Sequence, residues 1–437
     1  MSSNETKSKR QTVKDRDGLH ELNMEIDSLI AAVEGFAKKN AGLIRKLHPQ
    51  YKAGGENFLH YLALRQFELK DLQLRLSRFG LSSLGRCESN VLNSLRKVQE
   101  RIFDSADANR NQFLKNGRTQ DARLNQFKKA QTSQDSIEQL DWSAAEKILH
   151  QHTRDVFGPK PLDRHVYIMT TAPAFVDFSG SWVRSILKAG TNLIRINCAH
   201  ESEKEWHEMV SCIRKVARET DIPCRILMDL GGPKIRTATP ARKKLSVGDH
   251  LYLVERVHND KKDIQCSLPK VLDFIKVGER VLFDDGRIEM VTVSKARRKL
   301  ELKVTRLPAS QVKLKAEKGI NFPDSHIKIS EVTAQDICDL EFAGVHADLI
   351  GLSFVQSPSA IRKIRWHLKK LSEKSPGIIL KIETRAGFNS LPRLLLEAMT
   401  DYPCGVMIGL VHRLVEIRRK SGGLIQATSS ADPSLSI

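Results

Sequence analysis

The sequence predicts an α/β protein: an incomplete (β/α)8 barrel with an inserted small β-barrel-like lid domain, preceded by an α-helical N-terminal region. Three observations carry that prediction. From His165 onward, short β-rich apolar runs alternate with amphipathic helical segments. Runs beginning at Val166, Leu193 and Arg225 start 27 and 32 residues apart, and those at Asp348, Ile378 and Gly405 start 30 and 27 apart. Between Ala238 and Glu317 the alternation stops, and short strands with glycine turns follow one another without helices. Strand and helix at that period mean βαβ units on a parallel sheet, with chemistry expected at the C-terminal strand ends.

The 437 residues suffice for two or three domains, and 40% hydrophobic with 28% charged residues suits sizeable cores. No run approaches the ~20 apolar residues of a membrane span, so no membrane partner is expected. The first residues, MSSNETKSKRQTVKDRDG, lack the apolar segment of a secretory signal, and 1–16 are expected as a disordered leader. Seven cysteines (Cys87, Cys198, Cys212, Cys224, Cys266, Cys338, Cys404) are scattered without a CxxC pair. That fits small core residues in a reducing, cytoplasmic setting rather than a disulfide framework or zinc site. The formal charge of +19 asks for an anionic partner. Its basic residues are spread along the chain, with modest knots at 7–10, 295–299 and 418–420, and show no basic-aromatic stripe. Nucleic acid is therefore set aside in favour of small phosphorylated substrates, which the same field would attract.

Element by element, residues 17–104 read as a helical extension. LHELNMEIDSLIAAVEGFA and ENFLHYLALRQFELKDLQLRLSRFG carry apolar residues at helical spacing, and Gly80 ends the second run. Residues 105–159 read as a linker with short helices, closed by Gly158-Pro159. The first barrel part spans 160–237: VYIMT, NLIRINCA and CRILMDL as strands, WVRSILKAG and WHEMVSCIRKVARET as helices. The lid spans 238–317, with LSVGDHLYLV, IKVGERVLFDDGRIEMVTV and KLELKVTRL as antiparallel strands. The second barrel part spans 318–410, with ADLIGLSF, GIILKIE and CGVMIGL as strands. An aberrant polar tail occupies 411–437.

Charge gathers at the strand ends. Arg195 and Asn197 end the second strand, with His200 beyond; Asp229 ends the third, followed by Lys234 and Arg236. Lys381 and Glu383 end the fifth, on one face because they are two residues apart. Singly, each has a plain explanation: LMDLGGPKIRT is a tight turn with solvated charges, and Lys381 with Glu383 a salt-bridged rim pair. Three strands of one sheet ending in charge point further. Arginine suits bidentate phosphate binding, lysine a point charge on a transferring group, and glutamate a Mg2+ ligand.

The motifs RINCAH, LMDLGGPKIRT, LFDDGRIE, EKGINFPD, GLSFV and ILKIETRAGF occur in order over about residues 160–408. This span resembles the pyruvate kinase family. NFLHYLALRQFEL and GLSSLGRCE resemble the helical extension of an atypical form within it. The resemblance implies phosphoryl transfer from phosphoenolpyruvate to ADP, giving pyruvate and ATP in glycolysis, with Mg2+ (or Mn2+) and often K+. It implies that Arg195 holds the phosphoryl group and that Lys381 stabilises charge during transfer. Glu383 would ligate Mg2+. Asn197, Asp229 and the Leu230 carbonyl would hold K+, and residues 197–200 (Asn197 and His200 among them), Arg236 and Lys318 would face the nucleotide. Full-length relatives imply a homo-oligomer.

Two departures from the family pattern shape further expectations. Ala199 stands where the family has a serine that helps bind K+, which predicts weakened K+ dependence. His412 falls where a second Mg2+ carboxylate is expected, and the text then changes into a Ser- and Gly-rich tail. The expectation is a chain cut short by a frameshift or early stop. It would lack the last two barrel strands and the C-terminal domain, leaving a six-stranded open sheet and a poor catalyst. Two readings stay open: a pyruvate kinase-type phosphotransferase, and a non-catalytic interaction protein built on a partial barrel.

Overall fold

The computed structural model describes residues 2–113 and 141–408, except 163, 174–178, 200, 240–243, 260–261, 285, 326, 328–330 and 372–374. The chain divides into two compact units, Met1–Thr153 falling in one and Arg154–Ala398 in the other.

In the first unit, helices α1 (Ser2–Lys39), α2 (Ala41–Arg45), α3 (Lys52–Leu64), α4 (Lys70–Arg78) and α5 (Val91–Phe113) follow one another. Leu19, Leu22, Ile26, Leu29 and Val33 recur at steps of three and four, which puts them on one stripe of α1. They join Leu72 and Leu76 of α4 and Val91, Leu95, Val98 and Ile102 of α5 in a single core. Each such buried aliphatic side chain stabilises the fold by about 1.5–3 kcal/mol. Asn57 supplies a cap: its Oδ1 accepts the Val91 N–H at 2.8 Å, satisfying a donor at the start of α5. Two expectations need correction. Residues 2–16, expected as a disordered leader, are helical. No proline interrupts α1, and its two glycines, Gly18 and Gly35, are weak breakers within a long run of helix formers. The helical extension expected to end near residue 104 continues in α5 to Phe113, a run without proline or glycine, while α6 (Trp142–Phe157) stands within the stretch expected to hold short helices. The middle of the expected linker, 114–140, lies outside the described residues.

The second unit holds, in order, β1 (Met169–Thr171), α7 (Ser181–Lys188), β2 (Leu193–Asn197), α8 (Glu203–Thr220) and β3 (Arg225–Leu230). The lid follows as β4 (His250–Val254), β5 (Asp263–Gln265), β6 (Arg280–Phe283), β7 (Ile288–Ala296), β8 (Lys299–Arg306) and β9 (Ile320–Asn321). The barrel resumes with α9 (Ala334–His346), β10 (Leu349–Leu352), α10 (Pro358–Leu371), β11 (Gly377–Ile382), α11 (Arg385–Ala398) and β12 (Cys404–Ile408). The barrel sheet runs β1-β2-β3-β10-β11-β12, and every pairing in it is parallel. β3 pairs directly with β10, so the inserted lid leaves the strand order unbroken.

Period-two alternation explains the two faces of this sheet. Ile194, Ile196, Ile226, Met228, Leu230, Ile350, Leu352, Ile378, Leu380 and Ile382 share a core with Trp206 and Ile213 of α8, Leu340 of α9, and Ile361 and Ile364 of α10. Leu193, Leu227, Leu349 and Ile379 point the other way and meet Val156 in a separate inner cluster. Two residues further along the same inner face stand Arg195, Asp229, Gly351 and Lys381. The inner face is thus apolar at its base and charged at the C-terminal strand ends. α8 starts on a capping box between Ser202 and Glu205, and α9 on one between Thr333 and Asp336, which fix where each helix begins.

The outer strands β1 and β12 have no further neighbour among the described residues, and Met169 and Ile408 are 41% and 46% exposed. This is the incomplete barrel that the sequence predicts. The lid is one sheet, β5-β4-β8-β7-β6-β9, antiparallel except for the parallel β4–β5 pair. Leu251, Leu253, Val281, Phe283, Met290, Leu300 and Leu302 fill its core. No described helix is long and apolar enough to cross a membrane. Five of the seven cysteines are buried, as small core residues should be. Burial, with the carboxylates of Asp339, Asp229 and Asp336 adding to it, pushes the Cys198 thiol well up and keeps it unreactive.

Candidate active site

Asp229 ends β3 with its carboxylate 1% exposed, and an isolated buried carboxylate would be costly. Two cations from other strands compensate it. Arg195 on β2 donates from Nε to Oδ2 at 2.7 Å, and its Nη2 donates to the same oxygen. Lys381 on β11 donates from Nζ to Oδ2 at 2.9 Å. Arg195 is steadied from behind, because Nη1 donates to Thr171 Oγ1 at 3.2 Å. Lys381 is also 3.3 Å from Glu383 Oε1, while Glu383 Oε2 accepts the Phe354 N–H at 2.9 Å. Two cations and two carboxylates therefore balance in a region where Lys381 is only 8% exposed.

Backbone conditions make that cluster possible. Asp229 registers with Gly351 on β10, and a Cβ at Gly351 would lie 2.6 Å from Asp229 Oδ1. Gly232, at φ +64°, carries the chain out of β3 beneath Ser353, where a Cβ would lie 2.9 Å from the serine Cβ. Its N–H donates to Asp336 Oδ1 at 2.8 Å, which ties this loop to the start of α9.

The structure brings together Arg195, Asp229, Lys381 and Glu383 from the expected residues. Asn197 lies in register with Asp229, and its Oδ1 accepts the Ala199 N–H at 3.3 Å. The Leu230 carbonyl accepts the Ser353 hydroxyl at 2.6 Å. Arg236 and Lys318 sit elsewhere, where the chain enters and leaves the lid. Thr237 N–H donates to the Lys318 carbonyl at 2.8 Å, and Arg236 Nη1 to the Glu317 carbonyl at 3.2 Å. Lys318 Nζ pairs with Asp284 Oδ1 at 2.7 Å. Lys234, prominent in the sequence, is exposed. His200 and His412 lie outside the described residues. Ser353 escaped the sequence reading; it stands two residues after Gly351 in GLSFV, so the period-two pattern alone would have placed it on the inner face.

The donor sets bear on cations. Among the described residues no group of three His, Cys, Asp or Glu could hold a metal ion. One carboxylate, Glu383, stands at the site beyond the committed Asp229, and one carboxylate with substrate oxygens is a workable magnesium set. Of the oxygens expected to hold a monovalent cation, Asp229 Oδ2 accepts from Arg195, Asn197 Oδ1 from the Ala199 N–H and the Leu230 carbonyl from the Ser353 hydroxyl.

Comparison with known proteins identifies the family. Residues 163–420 match the family described as pyruvate kinase, barrel domain. Pyruvate kinases of Staphylococcus aureus strains USA300, NCTC 8325 and bovine RF122 are each 29% identical over 264 residues, which cover 59% of this chain and 43% of theirs. The matched segment thus spans less than half the length of these curated relatives.

Proposed function

Because this chain belongs to the pyruvate kinase family, we propose that its strand-end cluster is a phosphoryl-transfer site for phosphoenolpyruvate and ADP. The observation that carries the reading is the convergence of Arg195 and Lys381 on one buried carboxylate at the C-terminal ends of parallel strands. Phosphoryl transfer needs positioning and charge neutralisation more than covalent help, and two cations held by tertiary structure supply both.

In the proposed reaction, a terminal oxygen of ADP attacks phosphorus and forms a P–O bond. The bond from phosphorus to the enol oxygen breaks, and its electron pair stays as the enolate. Protonation of the enolate carbon gives pyruvate. Arg195 holds the phosphoryl oxygens, and Lys381 stabilises charge on the phosphoryl group and on the enolate oxygen. Arg195 must exchange part of its bonding to Asp229 for bonding to substrate, and Lys381 its longer contact with Glu383. Arg236 and Lys318, at the base of the lid, would face the nucleotide, with Asn197 and His200. Glu383 would hold Mg2+ or Mn2+ together with substrate oxygens, and such an ion would neutralise phosphoryl charge when bound. No step is assigned to K+. The whole reaction has a cytoplasmic, glycolytic setting by family.

The test is pyruvate formation from phosphoenolpyruvate and ADP by the purified full chain, with and without Mg2+. Turnover that requires Mg2+ and falls about 10²–10³-fold in Lys381→Met supports the reading. No turnover from a demonstrably folded chain overturns it, in favour of a non-catalytic interaction protein on the same barrel.

A further inference from the structure

A lysine ammonium has three N–H donors, and at Lys381 three acceptors receive them: Asp229 Oδ2 at 2.9 Å, Ser353 Oγ at 2.8 Å and Glu383 Oε1 at 3.3 Å. Two of these are carboxylates with recognisable roles. The third is a neutral hydroxyl, that of Ser353, 6% exposed.

A serine hydroxyl has one hydrogen to give. Ser353 Oγ lies 2.6 Å from the Leu230 carbonyl and 3.4 Å from Asp229 Oδ1, so the hydrogen goes to Leu230. That commitment leaves only lone pairs for Lys381 and fixes their direction. The serine itself has little room to shift, because Gly232 passes directly beneath its Cβ. We propose that Ser353 is a positioning residue, whose hydroxyl, locked by the Leu230 carbonyl, holds the Lys381 ammonium between the two carboxylates.

The chemistry favours a neutral third acceptor. Without it, one N–H would lack a partner and the ammonium would slide toward Asp229 or Glu383. A third carboxylate would bind the ammonium too tightly to release it. The leg to Glu383 is the longest and is the one a substrate oxygen replaces, while Asp229 and Ser353 keep Nζ in place from two sides. This inference rests on the reading of Lys381 as the cation at the transferring phosphoryl group, and its test separates the two.

The direct readout is hydrogen exchange of the Lys381 ammonium in the full chain labelled with 15N-lysine, its resonance identified by loss in Lys381→Met. In the ligand-free chain this ammonium should exchange ~10-fold or more slowly than solvent-exposed lysines, in keeping with a hydrogen bond to a charged group. Ser353→Ala should speed it ~10-fold with backbone amide exchange in β10 unchanged, and Ser353→Thr, which keeps the hydroxyl, should restore it to within about threefold. In turnover, Ser353→Ala should lower kcat ~10-fold and leave KM within about threefold. The wild-type chain alone can overturn the proposal, by exchanging at Lys381 as fast as at exposed lysines. Unchanged exchange in Ser353→Ala overturns it as well. If Ser353→Ala shifts the exchange but no form of the chain makes pyruvate, the positioning role stands and the phosphotransferase reading falls.

Discussion

Lys381 and Asp229 are 152 residues apart in sequence, yet the ammonium of one lies 2.9 Å from the carboxylate of the other. β10 runs between their strands, and the contact crosses it at Gly351, the position in register with Asp229. A missing side chain on the middle strand is what lets the outer two meet.

Gly351→Ala should therefore disturb both partners. The new Cβ would fall 2.6 Å from Asp229 Oδ1, so either the carboxylate or the strand must move. Overpacking of this kind costs about 1–3 kcal/mol. Urea titration of the barrel's unfolding transition should show that loss; an unchanged midpoint would mean that the site relaxes freely.

Removing the carboxylate should cost more. Asp229→Ala leaves Arg195 and Lys381 without their shared acceptor in a buried setting. Breaking one side of such a cluster typically destabilises by about 3–5 kcal/mol. The barrel's transition in guanidinium chloride is the measure, and a loss below about 1 kcal/mol would show that water already screens this cluster.

Lys381→Met tests chemistry rather than stability. It removes a charge while keeping most of the side-chain volume, and turnover should fall about 10²–10³-fold, the scale of losing one preorganised charge-stabilising group. Comparing kcat of the two proteins at saturating phosphoenolpyruvate decides it. A drop of less than about fivefold would place the catalytic charge on another residue.

The helical unit carries its own pH dependence. Burial first, and the nearby Arg96 second, push His60 from 6.5 down to about 4. The folded state keeps this imidazole neutral while the unfolded chain takes up a proton below 6.5. Its contribution is complete above pH 6.5 and is lost as pH falls toward 4, by roughly 3 kcal/mol at most. Thermal melts across that window should decline in the wild-type chain and decline less in His60→Gln. Parallel declines in the two proteins would remove His60 as the cause.

The sequence by itself determined the secondary elements and the faces they present. Steps of three and four at Leu19, Leu22 and Ile26 fix the buried stripe of α1, and alternation in Leu193–Asn197 and Arg225–Leu230 separates helix-facing Ile194 and Ile226 from inward Arg195 and Asp229. The break in strand-helix rhythm placed the lid. Helix ends were less legible, because the start of α1 contains no residue that forbids a helix, only residues that decorate it with charge.

Tertiary structure decided which charges meet. A period of two says which way a side chain points, but says nothing about its neighbour on a strand more than 100 residues away. Register does that, through backbone pairing such as Asn197 with Asp229 and Asp229 with Gly351. Register gathered Arg195, Asp229, Ser353 and Lys381 into one cluster. The lid's backbone bridges held Arg236 and Lys318 at its base instead, although Arg236 follows Asp229 by only seven residues. Parallel strands fix separation along the sheet through hydrogen bonds that carry no side-chain signature, so the pattern can put Ser353 on the inner face but only strand pairing brings it to Lys381.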